Sequence, residues 1–126
     1  MIENSSYSNS VVQLFEEPNY VGILDVSDSD TYVVKVQESC YGAFLILSIL
    51  LDNEIIKKIL FKTRGCPYLI AGADWFCSDL EGKSYKNLKN WSAALLIDKL
   101  EVPTEKIGRI LIIEDAARKL YKLLVD

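Results

Sequence analysis

Polar and apolar positions sort along this chain into strand-like runs first and helical spacings afterwards. TYVVKVQ at 31–37 reads as a strand. AFLILSILL at 43–51 and IIKKILFKT at 55–63 flank the polar turn Asp52-Asn53-Glu54, the pattern of a β-hairpin. From Pro67 the spacing turns helical through Leu69, Ile70, Ala73, Phe76, Cys77 and Leu80, until Gly82 ends it. Pro67 suits the first helical position, where its missing N–H would have no partner. Two short helices are predicted around 84–90 and 92–100. Pro103-Thr104 opens a last one near 105–125, carrying Ile107, Ile110, Leu111, Ala116, Leu120 and Leu124. Ahead of the strands, residues 8–16 predict a short helix with Ser8 as N-cap, the stripe Val11, Val12, Leu14 and Phe15, and Pro18 as its stop. The polar, Ser/Asn-rich start predicts a flexible N-terminus over 1–6, followed by one domain over 7–126. Strands before helices, without βαβ alternation, define the α+β class.

Charge narrows the partners. The 126 residues carry 14 Lys+Arg against 18 Asp+Glu, a net charge of −4 with no basic block. That balance argues against nucleic acid and against anionic lipid as partners. The longest apolar run, 43–51, is less than half of the roughly 20 residues of a membrane-spanning helix. With no basic-then-apolar leader, the expectation is a cytoplasmic, soluble protein.

Histidine is absent, which removes Ser-His-Asp and Cys-His catalysis and every His-containing zinc site. A metal would need Cys, Asp or Glu. The three cysteines are Cys40, Cys66 and Cys77, an odd number with no CxxC. Cys77 sits between Ala73 and Leu80 on a helical stripe and reads as an inert core residue. Eleven residues of helix separate it from Cys66, roughly 16 Å at 1.5 Å per residue, too far to share a metal. Cys66 lies between a Gly and a helix start, two residues from Arg64, where dipole and cation both favour thiolate. Cys40, in ESCYG, stands at the entrance to the hairpin.

YSNSVVQLFEEPNYVG at 7–22, FKTRGCPYLIAGADW at 61–75, LEGKSYKNL at 80–88 and VPTEKIGRILIIEDAARKL at 102–120 carry a resemblance. Together they resemble the IscU / NifU N-terminal family of iron–sulfur cluster assembly scaffolds. The resemblance implies a small three-stranded antiparallel sheet packed against four to five helices. It implies a non-enzymatic scaffold that accepts sulfur and iron through Cys40 and Cys66 and passes a cluster on. A cysteine desulfurase and a chaperone system are the implied partners, and Pro103 and Lys106 match the chaperone-recognition motif. The cargo is a [2Fe–2S] cluster, iron or zinc, or no metal at all. Three positions depart from the pattern: Gly42 stands where the family has its metal-binding Asp, and Gly108-Arg109 stand where it has His-Cys. These losses leave a persulfide carrier and a non-catalytic, partner-binding paralogue open as alternatives. The two retained cysteines are expected to meet at the open end of the hairpin, with Arg109 facing them.

In the family the first hairpin strand alternates, with polar residues outside. Here the outer positions are expected to be Leu45, Leu47 and Ile49, and the inner ones Phe44, Ile46 and Leu50, with Leu60 across from Leu45 on the outside. Such a patch needs a cover. A longer N-terminal helix is one; a homodimer through Leu45, Leu47, Ile49 and Leu60 is the other, favoured by the shortness of the first helix.

Overall fold

The structure, a computed structural model, describes residues 13, 15–25, 27, 29–37 and 42–125. Three strands, β1 (Thr31–Gln37), β2 (Phe44–Asp52) and β3 (Ile55–Arg64), form one antiparallel sheet in the order β1-β2-β3. Three α-helices follow among the described residues: α1 (Pro67–Leu80), α2 (Ala94–Lys99) and α3 (Ile107–Val125). Short 3₁₀ segments lie at Tyr85–Leu88 and Thr104–Lys106. This is the expected α+β architecture, but among the described residues the expected count of four to five helices is not borne out. The segment predicted as a helix over 84–90 is a single 3₁₀ turn, held at its start by the Ser84 hydroxyl accepting from the Lys86 N–H. Of the helix predicted over 8–16, only Gln13, Phe15 and Glu16 are described, and they are helical. The rest of it, and the N-terminus over 1–6, lie outside the described residues.

The hairpin register decides which face is buried. Leu45, Leu47 and Ile49 pair with Thr63, Phe61 and Ile59, and on the other side with Val36, Val34 and Tyr32. Side chains directly opposite share a face. This face receives α1 and α3, and Leu45, Leu47 and Ile49 are each 0% exposed. The expected assignment is therefore inverted: these three leucine and isoleucine side chains are core, and they offer no surface to a second subunit. Leu60 pairs with Ser48 rather than Leu45 and lies on the opposite face. That face carries Phe44, Ile46 and Leu50, all half-buried, alternating across the hairpin with Arg64, Lys62 and Lys58. The Lys35 ammonium lies 5.0 Å from the Phe44 ring centroid there, a cation–π contact that covers part of the ring.

A strap over Asn19–Leu24 completes the outer side. The Phe61 N–H donates to the Tyr20 carbonyl and the Gly22 N–H to the Phe61 carbonyl, each at 2.8 Å, so the strap runs parallel along the free edge of β3. The Leu24 N–H then donates to the buried Ser48 hydroxyl at 3.0 Å. On the helical side, two α3 side chains one turn apart fix the connection before α2. Glu114 accepts from the Ala93 N–H at 2.6 Å, and Arg118 donates to the Leu88 and Trp91 carbonyls at 3.0 and 2.7 Å. The EDAAR stretch thus works as a clamp, satisfying backbone groups that a loop would otherwise leave to water.

Candidate functional site

The FKTRGC stretch builds one end of the molecule residue by residue. Phe61 is core, and Lys62 faces out. The Thr63 hydroxyl donates to the Phe44 carbonyl, pinning the open end of the hairpin. Arg64 closes β3 opposite Phe44. At Gly65 a Cβ would stand 2.6 Å from the Leu69 Cδ2, so any larger residue here would make the Leu69 side chain shift. Cys66 is the N-cap of α1. Its carbonyl accepts from the Leu69 and Ile70 N–H groups at 3.0 and 3.2 Å, its side chain makes no capping bond, and its thiol is partly exposed.

Ala43, Arg64, Gly65, Cys66 and Arg109 line one pocket of about 360 Å³ that opens to solvent. Arg109 reaches it from the first turn of α3, with Gly108 exposed beside it. The Cys66 corner and Arg109, from a different element, thus border the same pocket. Gly42, one residue before the pocket wall, has φ +70°. Aspartate tolerates this left-handed region better than most residues, but only glycine enters it without strain. Cys40 lies outside the described residues, so the expected meeting of the two thiols is not described. Pro103 and Lys106 sit away from the pocket on the 3₁₀ turn, where the Lys106 N–H donates to the Pro103 carbonyl at 2.9 Å.

Cys77 is fully buried among core side chains. Burial pushes its thiol well above the usual value, and the Asp74 and Glu81 carboxylates push the same way. It remains a protonated, inaccessible thiol. Among the described residues no three Cys, Asp or Glu side chains gather as a metal would need. A [2Fe–2S] cluster takes about four ligands. The described wall of the pocket supplies one thiol and no carboxylate, which does not by itself fit such a cluster.

Asp74 was not singled out from sequence. It is 1% exposed on α1, and its Oδ1 accepts from the Asn19 and Tyr20 N–H groups at 2.7 and 2.9 Å, anchoring the strap. Burial raises its carboxyl above the usual value, and the Tyr20 and Asn19 N–H groups pull it part of the way back. The available signal was an acidic residue placed among core positions, four residues after Ile70 and three before Cys77.

The fold agrees with the comparisons. Residues 6–122 match the NifU-like N terminal domain family, and the chain belongs to that family. It is 32% identical over 114 residues to the iron-sulfur cluster assembly scaffold protein IscU of Haemophilus influenzae, covering 90% of each chain. It is 30% identical over 116 residues to iron sulfur cluster assembly protein 1 of Trachipleistophora hominis, covering 92% of this chain and 84% of that one. Among solved structures, the N-terminal NifU-like protein of Brucella abortus superimposes with TM-score 0.72 at 11% identity, covering 91% of both chains. The putative iron-sulfur cluster assembly scaffold of Fervidobacterium islandicum also gives TM-score 0.72, at 16% identity over 91% of this chain and 96% of that one. These two likenesses bear on the fold alone. No described helix is long and apolar enough to cross a membrane.

Proposed function

We propose that this chain is an iron–sulfur cluster assembly scaffold whose sulfur enters at Cys66. The observation that carries the reading is the family match over 6–122 with the FKTRGC cysteine partly exposed in a solvent-open pocket. Thiolates suit the work because they are soft ligands for iron and nucleophiles toward sulfane sulfur. In the proposed first step the Cys66 thiolate attacks the terminal sulfur of a desulfurase persulfide. A new S–S bond forms at Cys66, the donor S–S bond breaks, and the donor cysteine leaves as thiolate. The chain is changed by this step and must hand its cargo on, so it acts as a carrier and not as a catalyst. The iron–sulfur cluster is that cargo. Cys40, three residues before Ala43, is the proposed second ligand, and a second molecule or the recipient completes the set. A chaperone acting on the Pro103–Lys106 turn is part of the same proposal.

A second reading, a persulfide carrier that never holds iron, is favoured by Arg64 and Arg109. Cationic side chains lining the pocket that holds the thiol oppose a metal cation and favour an anionic sulfur. Anaerobic incubation with a cysteine desulfurase, cysteine and ferrous iron separates the readings. A scaffold gains iron and acid-labile sulfide and loses both in Cys66→Ser. A persulfide carrier gains only one sulfur atom of mass, on Cys66. A chain that gains neither sulfur nor iron refutes both.

A further inference from the structure

The strap follows β3, and β1 forms the opposite edge of the sheet. In an antiparallel strand alternate residues turn both backbone groups to the same side. The Asp30 carbonyl accepts from the Leu51 N–H at 3.0 Å, and the register carries that alternation along β1, so Tyr32, Val34 and Val36 serve β2. Val33 and Lys35 therefore direct their N–H and C=O groups outward. Among the described residues one group meets this row, the Lys119 ammonium, which donates to the Lys35 carbonyl at 2.7 Å. An ammonium has three donors, so two are left for a ligand. Here β1 and α3 border an open groove of about 370 Å³, lined by Val33, Val34, Lys35, Lys119, Lys122 and Leu123. All six are described residues, and none lines the Cys66 pocket. The groove carries one sign of charge in a chain whose net charge is −4. Lys35, Lys119 and Lys122 are exposed, and among the described residues none of the three is in an ion pair. The cations flank the edge on both sides: Lys35 lies over the Phe44 ring on the outer face, and Lys119 and Lys122 come from the helical side.

We propose that this groove docks an extended acidic segment of a partner protein, which adds to β1 as a fourth strand. Strand addition at a sheet edge takes its affinity from main-chain bonds and its specificity from alternate side chains. The Val33 and Lys35 backbone groups supply the first. The lysines supply the second by meeting carboxylates, while the half-buried Val33 and the Leu123 side chain, 46% exposed, receive an apolar neighbour. A second copy of this chain fits worse, because β1 laid against β1 sets lysines against lysines, and like charges directly opposite are destabilising. Lysine on an edge strand guards against such self-pairing, and it leaves an acidic partner admissible. The proposal does not depend on the chemistry of Cys66.

The probe is a labelled hexapeptide of alternating glutamate and valine, with controls that carry glutamine or lysine in place of glutamate. Binding to the full chain is read by fluorescence anisotropy at low salt. The glutamate peptide is expected to bind about tenfold tighter than the glutamine peptide, the worth of a few exposed ion pairs together. The lysine peptide should not bind. The preference should shrink with added salt and vanish in Lys119→Gln/Lys122→Gln. Methylating alternate backbone nitrogens of the glutamate peptide leaves its charge intact and should still abolish binding. Hydrogen exchange at the Val33 and Lys35 amides should be fast in the free chain and slow once the peptide is added. Equal binding of the glutamate and glutamine peptides overturns the inference, and so does undiminished binding of the methylated peptide. Slow exchange at Val33 and Lys35 in the free chain would show that the edge is already covered, by the chain itself or by a second copy, and would also overturn it. If the double variant does not fold, Lys122→Gln alone and the salt dependence decide in the same way.

Discussion

Asp74 offers the sharpest test of how the strap is held. Replacing it by Ala strands the Asn19 and Tyr20 N–H groups, which now lie 2.7 and 2.9 Å from its Oδ1. Leaving a buried donor unpartnered costs about 1–3 kcal/mol. Removing a buried carboxylate returns part of that, so the net loss for Asp74→Ala is expected at about 2–4 kcal/mol. Asp74→Asn keeps an acceptor oxygen and discards the charge, so its cost near neutral pH is expected below about 1 kcal/mol. The pH dependence follows from the direction of the shift. The folded carboxyl titrates above its usual 3.8, because burial outweighs the two N–H bonds. Between the unfolded and folded values the native state holds more protons, so stability falls as pH rises through that window. Above the folded value the penalty is complete and constant. The strap also meets Glu81, which accepts from the Tyr20 hydroxyl at 3.2 Å, so the wild type is compared with the Asn variant to isolate Asp74. Urea unfolding at several values between about pH 4 and 7 gives that difference. The wild type should lose stability relative to Asp74→Asn as pH rises. A relative gain would show that the N–H bonds win over burial, and a harmless Asp74→Ala would show that the strap is held by other contacts.

Three further outcomes follow from the packing. Leu47→Lys, at a position 0% exposed, should destabilise the fold itself by at least about 3 kcal/mol rather than release a folded monomer; a stable, soluble variant in thermal melts would contradict the buried face. Arg118→Ala should cost about 1–3 kcal/mol by freeing the Leu88 and Trp91 carbonyls, and hydrogen exchange should rise around 88–93; unchanged exchange there would refute the clamp. In the native protein iodoacetamide should modify Cys66 and leave Cys77 untouched until denaturant is added; native labelling of Cys77 would overturn its assignment to the core.

How much of this was legible depended on the kind of signal. The hairpin and α1 were plain, because Asp52-Asn53-Glu54 and Pro67 are punctuation with a mechanical meaning, and Asn53 does adopt φ +58° in the turn. The faces of β2 were not, because both of its alternating sets are apolar and the strand alone carries no polarity. The answer lay in β3, where Lys58, Lys62 and Arg64 mark the solvent side and the register transfers that side to Phe44, Ile46 and Leu50. The corner holding Cys66 could be read because Pro67 marks the helix start, while Cys66 itself makes no side-chain cap and stands out only by its chemistry. The placement of Arg109 came from the family pattern; its own helix gives no local sign of the pocket. The Asp74 anchor joins residues 54 and 55 apart in sequence, beyond the reach of any periodicity.

The pocket around Cys66 is assembled from three stretches that meet only late in the chain's path: Ala43, the Arg64–Cys66 corner, and Arg109. Two of these belong to the hairpin end, but Arg109 rides on the opening turn of α3, at the junction with a 3₁₀ segment. Helix ends open far more often than sheet interiors do. Fraying of that single turn would carry one guanidinium away and leave the thiol, the sheet and the remaining helix in place. The wall that Arg109 gives the pocket is thus tied to a local equilibrium distinct from global unfolding, and any molecule that seizes the start of α3 acquires a handle on the surroundings of a cysteine it need never touch.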